Sequence, residues 1–239
     1  MINRTDTPLQ ARNYSPNSEV LMGRYDIKSD WNLSPLEDLA KDKGVNADFL
    51  VQLINSSYEP STASVSDFDS YSIPTLVDYL ERSHRYYLQK RLPEIEQSID
   101  AMKWSNTYHP ICVLVSRFFA MYIKELGEHF LYEEQKLFPY AKFLCRSKEQ
   151  WHLIPALRVF LGQYSTTEFI DKHDDSNKDE LREIRKALMK YEPPQENRLP
   201  YHILLDQLKS FEEDLQLHAL IEDKVLVPKM VVLETLLNA

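Results

Sequence analysis

The chain has 239 residues, of which 43% are hydrophobic and 27% charged, as expected for a soluble globular protein of one large domain or one domain plus a small one. Its net charge of −9 argues against a nucleic-acid partner and against an anionic membrane surface, because phosphates require a basic protein face. The two cysteines, the polar N-terminus and the lack of a run of about 18 apolar residues predict a cytoplasmic protein with no membrane span and no disulfide framework.

The first 71 residues are predicted to contain an arm and a small helical module. Residues 1–22 are polar and include prolines and asparagines, so we expect a mobile or loosely attached N-terminal arm. The module and its linker occupy residues 23–71, with one helix from Leu36 that Gly44 closes and a second helix that begins near Asn46. Two such short helices are too small to be stable alone, so we expect the module to dock on the rest of the chain.

Residues 72–239 are predicted to form four long helices, because apolar side chains recur at helical spacing and only short polar breaks interrupt them. The helices cover approximately residues 73–102, 110–144, 155–190 and 200–237. Three prolines lie inside them and are expected to bend them, namely Pro93, Pro139 and Pro228. On the second helix we expect an interior face of seven residues, namely Val113, Leu114, Phe118, Met121, Tyr122, Leu126 and Leu137. The short connections favour an all-α fold, an antiparallel up-down-up-down four-helix bundle.

One short pattern occurs twice in the bundle region. Residues 129–139 and 218–228 both read H-x-L-x-E-x-x-x-L-x-P. The copies are 89 residues apart (218 − 129), and the same offset relates His173 to His84 (173 − 84). Because residues i and i+4 face the same way on a helix, each copy predicts a histidine and a glutamate on one face.

The repeated offset predicts that six side chains meet in one layer of the bundle. The midpoints between successive histidines of the set all fall in predicted connections, and residues equidistant from a turn lie at the same height in an antiparallel hairpin. The six residues are His84, His129, Glu133, His173, His218 and Glu222.

Four imidazoles and two carboxylates indicate a pair of metal ions. One tetrahedral zinc ion takes at most four protein ligands, whereas two octahedral irons would take two imidazoles each and share both glutamates as bridges. An oxo or hydroxo bridge would leave each iron about one open position. Manganese and zinc are alternative metals. A single H-x-x-x-E is a weak motif and a lone histidine is more often a packed residue, so the prediction depends on the repeat and the common height.

Other polar residues near the layer are predicted to have ordinary roles. We expect Tyr132 to be a packed aromatic residue, although a hydrogen bond to a ligand or an electron-relay role is an alternative. Four acidic residues are expected to be solvated charges, namely Glu128, Glu134, Asp174 and Asp214, although any that turns inward could hydrogen-bond a ligand or relay protons.

At the six candidate ligands the sequence resembles the hemerythrin-like (HHE cation-binding) family, over residues 72–232. The segment His129-Phe-Leu-Tyr-Glu-Glu-Gln-Lys-Leu-Phe-Pro139 is similar to the family phrase H-x-x-x-E-E-x-x-L-F-P. The spacing is most similar to that of the di-iron proteins that repair iron–sulfur clusters. The resemblance implies a non-haem di-iron centre with four imidazole ligands and two bridging carboxylates, oxygen or nitric oxide as a small ligand, and iron–sulfur proteins damaged by oxidative or nitrosative stress as clients.

Two positions depart from the family pattern. Asn177 stands four residues after His173, where oxygen-carrying hemerythrins have a further histidine, which disfavours simple reversible oxygen carriage. The stretch from Tyr25 to Val45 resembles the N-terminal module of the repair proteins. However, Ser29, Asp30 and Trp31 stand where those proteins have an adjacent pair of cysteines. The module is therefore expected to act through packing or partner binding.

Three functional hypotheses follow. The first is a di-iron protein that supplies iron to damaged clusters or removes nitric oxide from them. The second is a sensor without turnover, in which oxygen, nitric oxide or iron changes the bundle and the N-terminal module reports the change to a partner. The third is a structural bundle with a vestigial site. The sequence leaves open whether the protein is an enzyme and whether it forms a homodimer.

Overall fold

The computed structural model describes residues 1–29, 33–103, 110–149, 165–172, 176–193, 195 and 198–238. Within these ranges the regular elements are helices, and no β-strand occurs. The described residues also include no helix that is long and apolar enough to cross a membrane.

Four helices precede the bundle: α1 (Pro8–Tyr14), α2 (Asn17–Arg24), α3 (Leu36–Asp42) and α4 (Ala47–Tyr58). The side chain of Asn46 caps α4 by accepting a hydrogen bond from the backbone N–H of Phe49. Gly44 follows α3 with a φ of +67°, a conformation that glycine adopts without a steric penalty. Both helices of the predicted module therefore form close to their expected bounds. Two short 3₁₀ helices, Pro60–Thr62 and Val65–Asp67, lie in the stretch before the bundle.

The first 22 residues differ from the expected loose arm. They form α1 and most of α2, and Ile2, Ala11 and Met22 are buried in the same apolar core as the first residues of the bundle. The backbone of Ile2 is also held by Asn55 of α4, whose side chain donates to its carbonyl and accepts from its N–H. The expectation failed because it rested on average polarity, whereas burial of a few apolar side chains is enough to hold a short helix in place.

The bundle contains four long helical segments, three of which continue through a π turn. The first comprises α5 (Ile73–Tyr86), a π turn (Tyr87–Arg91) and α6 (Leu92–Lys103). The second comprises α7 (Pro110–Tyr132), a π turn (Glu133–Leu137) and α8 (Phe138–Glu149). The third is described over α9 (Thr166–Lys172) and α10 (Ser176–Leu188). The fourth comprises α11 (Arg198–Ile221), a π turn (Glu222–Leu226) and α12 (Val227–Asn238).

Contacts between the segments define an antiparallel bundle. The start of the first segment packs on the end of the second (α5 on α8), and its end packs on the start of the second (α6 on α7). The third segment packs on the second through α10 and α7, and on the fourth through α10 and α11. The fourth closes on the first through α11 and α6. The predicted all-α four-helix bundle is thus confirmed, while the connection at 104–109 and most of 145–164 lie outside the described residues.

The three π turns of the described residues lie beside the prolines at which we predicted bends. Each turn ends two residues before a proline, which is Pro93, Pro139 or Pro228. The residue before each proline donates its N–H five residues back, for example from Phe138 to the carbonyl of Glu133. A proline ring clashes with the carbonyl four residues before it, and one widened turn accommodates the ring so that the helix continues.

The interior face of α7 differs from the prediction. Tyr122 and Leu126 are buried as predicted, but Leu114 and Met121 are 60% and 63% exposed, and Val115 and Phe119 are buried instead. The segment is apolar on nearly all sides, so its periodicity does not identify a unique inward face.

Candidate metal centre

Two of the candidate ligands, His84 and Glu133, lie between two apolar clusters of the bundle. On the first segment the last buried apolar residue of one cluster is Leu80 and the first of the other is Tyr87, with His84 between them. On the second segment Phe130 and Leu137 belong to different clusters, with Glu133 between them. Both polar residues are fully buried. The bundle therefore buries a polar layer that its apolar core surrounds.

Glu133 connects two of the histidines. Its Oε2 lies 3.1 Å from Nε2 of His84, and its Oε1 lies 2.6 Å from Nε2 of His129. His84 comes from the first segment, whereas His129 and Glu133 come from the second, so the contacts depend on the packing of two helices. The first residue of the π turn is Glu133 itself, and π turns inside α-helices occur frequently at functional sites.

The second copy of the pattern brings its pair to the same layer. Nδ1 of His218 lies 3.6 Å from Oε2 of Glu222, and the His218 ring centroid lies 5.1 Å from that of His84. His218 and Glu222 are 4% and 2% exposed. Glu222 also begins a π turn, like Glu133. The H-x-x-x-E repeat therefore has the same local backbone form in both copies.

Aromatic rings hold His84 in place. Its ring stacks on Phe130, with a centroid distance of 4.0 Å and an angle of 16°, and on Phe138 at 5.3 Å. Burial and, to a smaller extent, the nearby His129 lower the pKa of His84 to about 3. The imidazole is therefore neutral at physiological pH, which is the form that binds metals.

The third-helix candidate, His173, lies outside the described residues, as do Asp174 and the side chain of Asn177. Among the described residues, no group of three or more His, Cys, Asp or Glu side chains is arranged so that it could hold a metal ion. The donor types nevertheless fit a divalent cation, since imidazoles and buried carboxylates converge. Nε2 of His84 is buried and makes no hydrogen bond within the described part of the chain.

Glu134 turns toward a candidate ligand, which was the alternative to a solvated charge. We expected a solvated charge, but Oε1 of Glu134 lies 3.2 Å from Nδ1 of His84. A carboxylate only accepts hydrogen bonds, so Nδ1 carries the proton and Nε2 presents its lone pair toward Glu133. Partial burial, with Glu81 nearby, raises the pKa of Glu134. The first copy of the pattern contains two adjacent glutamates, and only Glu133 lies four residues after His129. This pair was the sequence feature that could have indicated a separate contact for Glu134.

Asp214 also departs from the expected solvated charge. It accepts a short hydrogen bond from the guanidinium of Arg24, whose side chain is fully buried. No local pattern could have identified this pair, because 190 residues separate its members.

The remaining predicted residues have packing or surface roles. Tyr132 is 36% exposed and stacks on Phe169 at 5.9 Å, in agreement with a packed aromatic residue. Glu128 lies at the surface, 3.8 Å from Lys124. Ser29, at the position of the family cysteines, is buried and donates a hydrogen bond to Glu19, while Asp30 and Trp31 lie outside the described residues.

The bundle region matches a known protein family. The sequence profile of the Hemerythrin HHE cation binding domain matches residues 75–230, more than half of the chain. The chain belongs to the hemerythrin HHE cation-binding family. This hemerythrin-family chain is also similar to the iron-sulfur cluster repair protein ScdA of Staphylococcus haemolyticus (strain JCSC1435), at 21% identity over 197 residues. The match covers 81% of this chain and 83% of that protein. The resemblance that the candidate ligands indicated is therefore confirmed at the level of the family.

Proposed function

We propose that this hemerythrin-family protein is a non-haem di-iron protein of the nitrosative and oxidative stress response, which repairs damaged iron–sulfur clusters. The family and the similarity to a cluster repair protein support cation binding and a repair-type role. The proposed ligands are His84, His129, Glu133, His173, His218 and Glu222.

The observation that carries this proposal is the convergence of the described candidate ligands on one buried layer. His84 and His129 both contact Glu133, and the rings of His84 and His218 are neighbours. Isolated carboxylates and imidazoles are costly to bury, so such a layer in an apolar core is expected to have a function.

Each side chain has a defined part in the proposed centre. Imidazoles from His84 and His218 would donate lone pairs, and Glu133, which lies between two histidines, would be a bridging carboxylate. When bound, two iron ions would supply open positions for a small diatomic ligand and a source of transferable iron. The side chain of His129 is 19% exposed, more than those of its partners in the layer. The route for iron or a small ligand is therefore expected to pass His129.

Metal analysis of the purified protein, with an optical spectrum before and after addition of nitric oxide, tests the proposal. We expect two iron ions per chain, an absorption band of the bridged pair and a change of that band with nitric oxide. His129→Ala combined with His218→Ala should remove the iron. His202→Ala is the matched control, because His202 lies on α11 but is exposed and away from the layer. Equal iron content in the double variant and the control would refute the ligand assignment.

Repair requires a second measurement. The iron-loaded protein should restore the activity of an iron–sulfur enzyme that nitric oxide has inactivated, and the double variant should not. An iron-binding protein that fails to restore the enzyme would support binding without repair.

A sensor without turnover is the second candidate, and one observation favours it. The N-terminal helices share an apolar core with α5 and the end of the fourth segment, so a change in the bundle can reach them. Limited proteolysis of residues 1–70 with and without nitric oxide tests this candidate. A digestion pattern that changes with the ligand supports a sensor, and an unchanged pattern opposes it.

A further inference from the structure

A fully buried arginine joins the N-terminal helices to the two segments that carry His84 and His218. Arg24 is the last residue of α2, and its side chain is 0% exposed. One amino group donates to the hydroxyl of Ser83 at 2.9 Å and approaches the Tyr79 hydroxyl at 3.4 Å. The other amino group donates to the carboxylate of Asp214. The guanidinium is thus bound to α5 and α11 at once.

Both partners of the guanidinium are close to candidate ligands. Ser83 immediately precedes His84, so their backbones move together. Asp214 lies four residues before His218, one turn away on the same face of α11. The backbone carbonyl of Asp214 also accepts from the hydroxyl of Tyr87 at 3.5 Å.

Three tyrosine rings surround the guanidinium and continue toward the layer. The guanidinium carbon lies 4.9 Å from the Tyr86 centroid, 5.2 Å from that of Tyr87 and 5.7 Å from that of Tyr79. The rings of Tyr87 and Tyr79 lie 5.8 Å and 6.4 Å from the His218 ring. Cation–π contacts of a desolvated arginine add to its attachment. One layer of side chains therefore separates Arg24 from the candidate centre.

The guanidinium of Arg24 stays protonated although it is buried. Burial alone would lower its pKa, but Asp214 and the tyrosines more than compensate, so the pKa lies above its ordinary value. A planar guanidinium can bind two partners on different helices in a fixed geometry, which a lysine cannot do. Hence the distance between α5 and α11 at this height depends on the arginine.

We propose that Arg24 is a positioning residue through which the docked N-terminal helices set the spacing between His84 and His218 and thereby the affinity of the centre for metal. The proposal rests on the ligand assignment above. By linkage, metal binding and docking of the N-terminal helices stabilise each other to the same extent.

Arg24→Gln and Arg24→Lys test the proposal, with Arg82→Gln as a matched control. Arg82 belongs to the same junction, because it donates to the backbone carbonyl of Arg24 at 3.1 Å and lies 5.0 Å from the Tyr25 ring. Its side-chain hydrogen bonds go to Arg24 and Asp78, away from Ser83 and Asp214. Both glutamine variants remove one arginine from the junction, but only Arg24→Gln removes the link to the candidate ligands.

Two measurements are needed. In metal-free protein labelled with ¹⁵N-histidine, the imidazole signals of His84 and His218 should shift in Arg24→Gln and stay in place in Arg82→Gln. In competition with a chelator for Fe²⁺, Arg24→Gln should bind metal on the order of tenfold more weakly, and Arg24→Lys should lie between it and the wild type.

The outcomes separate the proposals. Equal histidine signals and equal iron affinities in Arg24→Gln and Arg82→Gln would overturn the positioning role and leave Arg24 as an attachment of α2. If Arg24→Gln does not fold, as judged by circular dichroism, the comparison of Arg24→Lys with Arg82→Gln decides. If the wild-type protein binds no iron, the di-iron proposal is refuted. The histidine signals of the metal-free protein still show whether Arg24 positions His84 and His218.

Discussion

Phe130 and Phe119 offer a direct test of how the core supports the candidate centre. Both rings lie on α7 and are 2% exposed, so replacement of either by alanine leaves a cavity of similar size. Eleven residues separate them, which is about 16 Å along a helix. Phe130 stacks on His84 at 4.0 Å, whereas Phe119 packs on Tyr122 at 6.2 Å, away from the layer.

We expect both alanine variants to lose roughly the same stability and only one to lose metal affinity. A buried Phe→Ala change costs about 3–5 kcal/mol through lost transfer free energy and the cavity left behind. Phe130→Ala also removes the stack that orients His84, and an aromatic pair contributes about 0.5–1.5 kcal/mol beyond its buried area. If this energy keeps the His84 ring in the orientation that binds metal, loss of the stack weakens metal binding by roughly two- to tenfold.

Urea unfolding of the metal-free proteins measures the stability, and chelator competition measures the metal affinity. The reasoning requires a similar loss of stability in both variants and weaker metal binding in Phe130→Ala alone. Equal losses of affinity would show that general destabilisation accounts for the effect. Wild-type affinity in Phe130→Ala would show that the stack does not orient His84.

Three further predictions concern single interactions. Glu134→Gln removes the charge that accepts from His84 Nδ1 and should weaken metal binding about tenfold in chelator competition, whereas Glu128→Gln at the surface should leave it unchanged. The pKa of His84 is lowered from 6.5 to about 3 in the folded protein. Below pH 6.5 this histidine is therefore protonated in the unfolded chain but stays neutral in the folded protein. Metal-free protein should thus lose about 2 kcal/mol of stability from pH 7.5 to pH 5 in urea unfolding, and His84→Leu should lose less. Asn46→Ala removes the cap of α4 and should cost about 1 kcal/mol in thermal unfolding, with Asn46→Asp close to wild type.

The repeated pattern and the helix signals contained most of the information about the bundle. The offset between the two H-x-x-x-E copies, together with the polar breaks, placed His84, His129 and His218 at one height, and the structure brings these three residues together. The sequence also predicted the start of α4 near Asn46 and the end of α3 at Gly44. Each of these features depends on neighbours within a few turns of helix, or on a repeat that preserves the register.

Contacts between distant segments could not be predicted in this way. On α7, Val115 and Phe119 face inward rather than Leu114 and Met121, because an all-round apolar helix is oriented only by the helices that pack on it.

By itself, the sequence determined the long helices of the bundle and their antiparallel order and predicted the candidate ligands, since helical periodicity and ligand chemistry are local properties. Only the tertiary structure decided that the first 22 residues pack into the apolar core, that Glu134 contacts His84, and that Arg24 is bound to Asp214. The physical reason is that these contacts join segments far apart in the chain, and their energy exists only after the helices have packed.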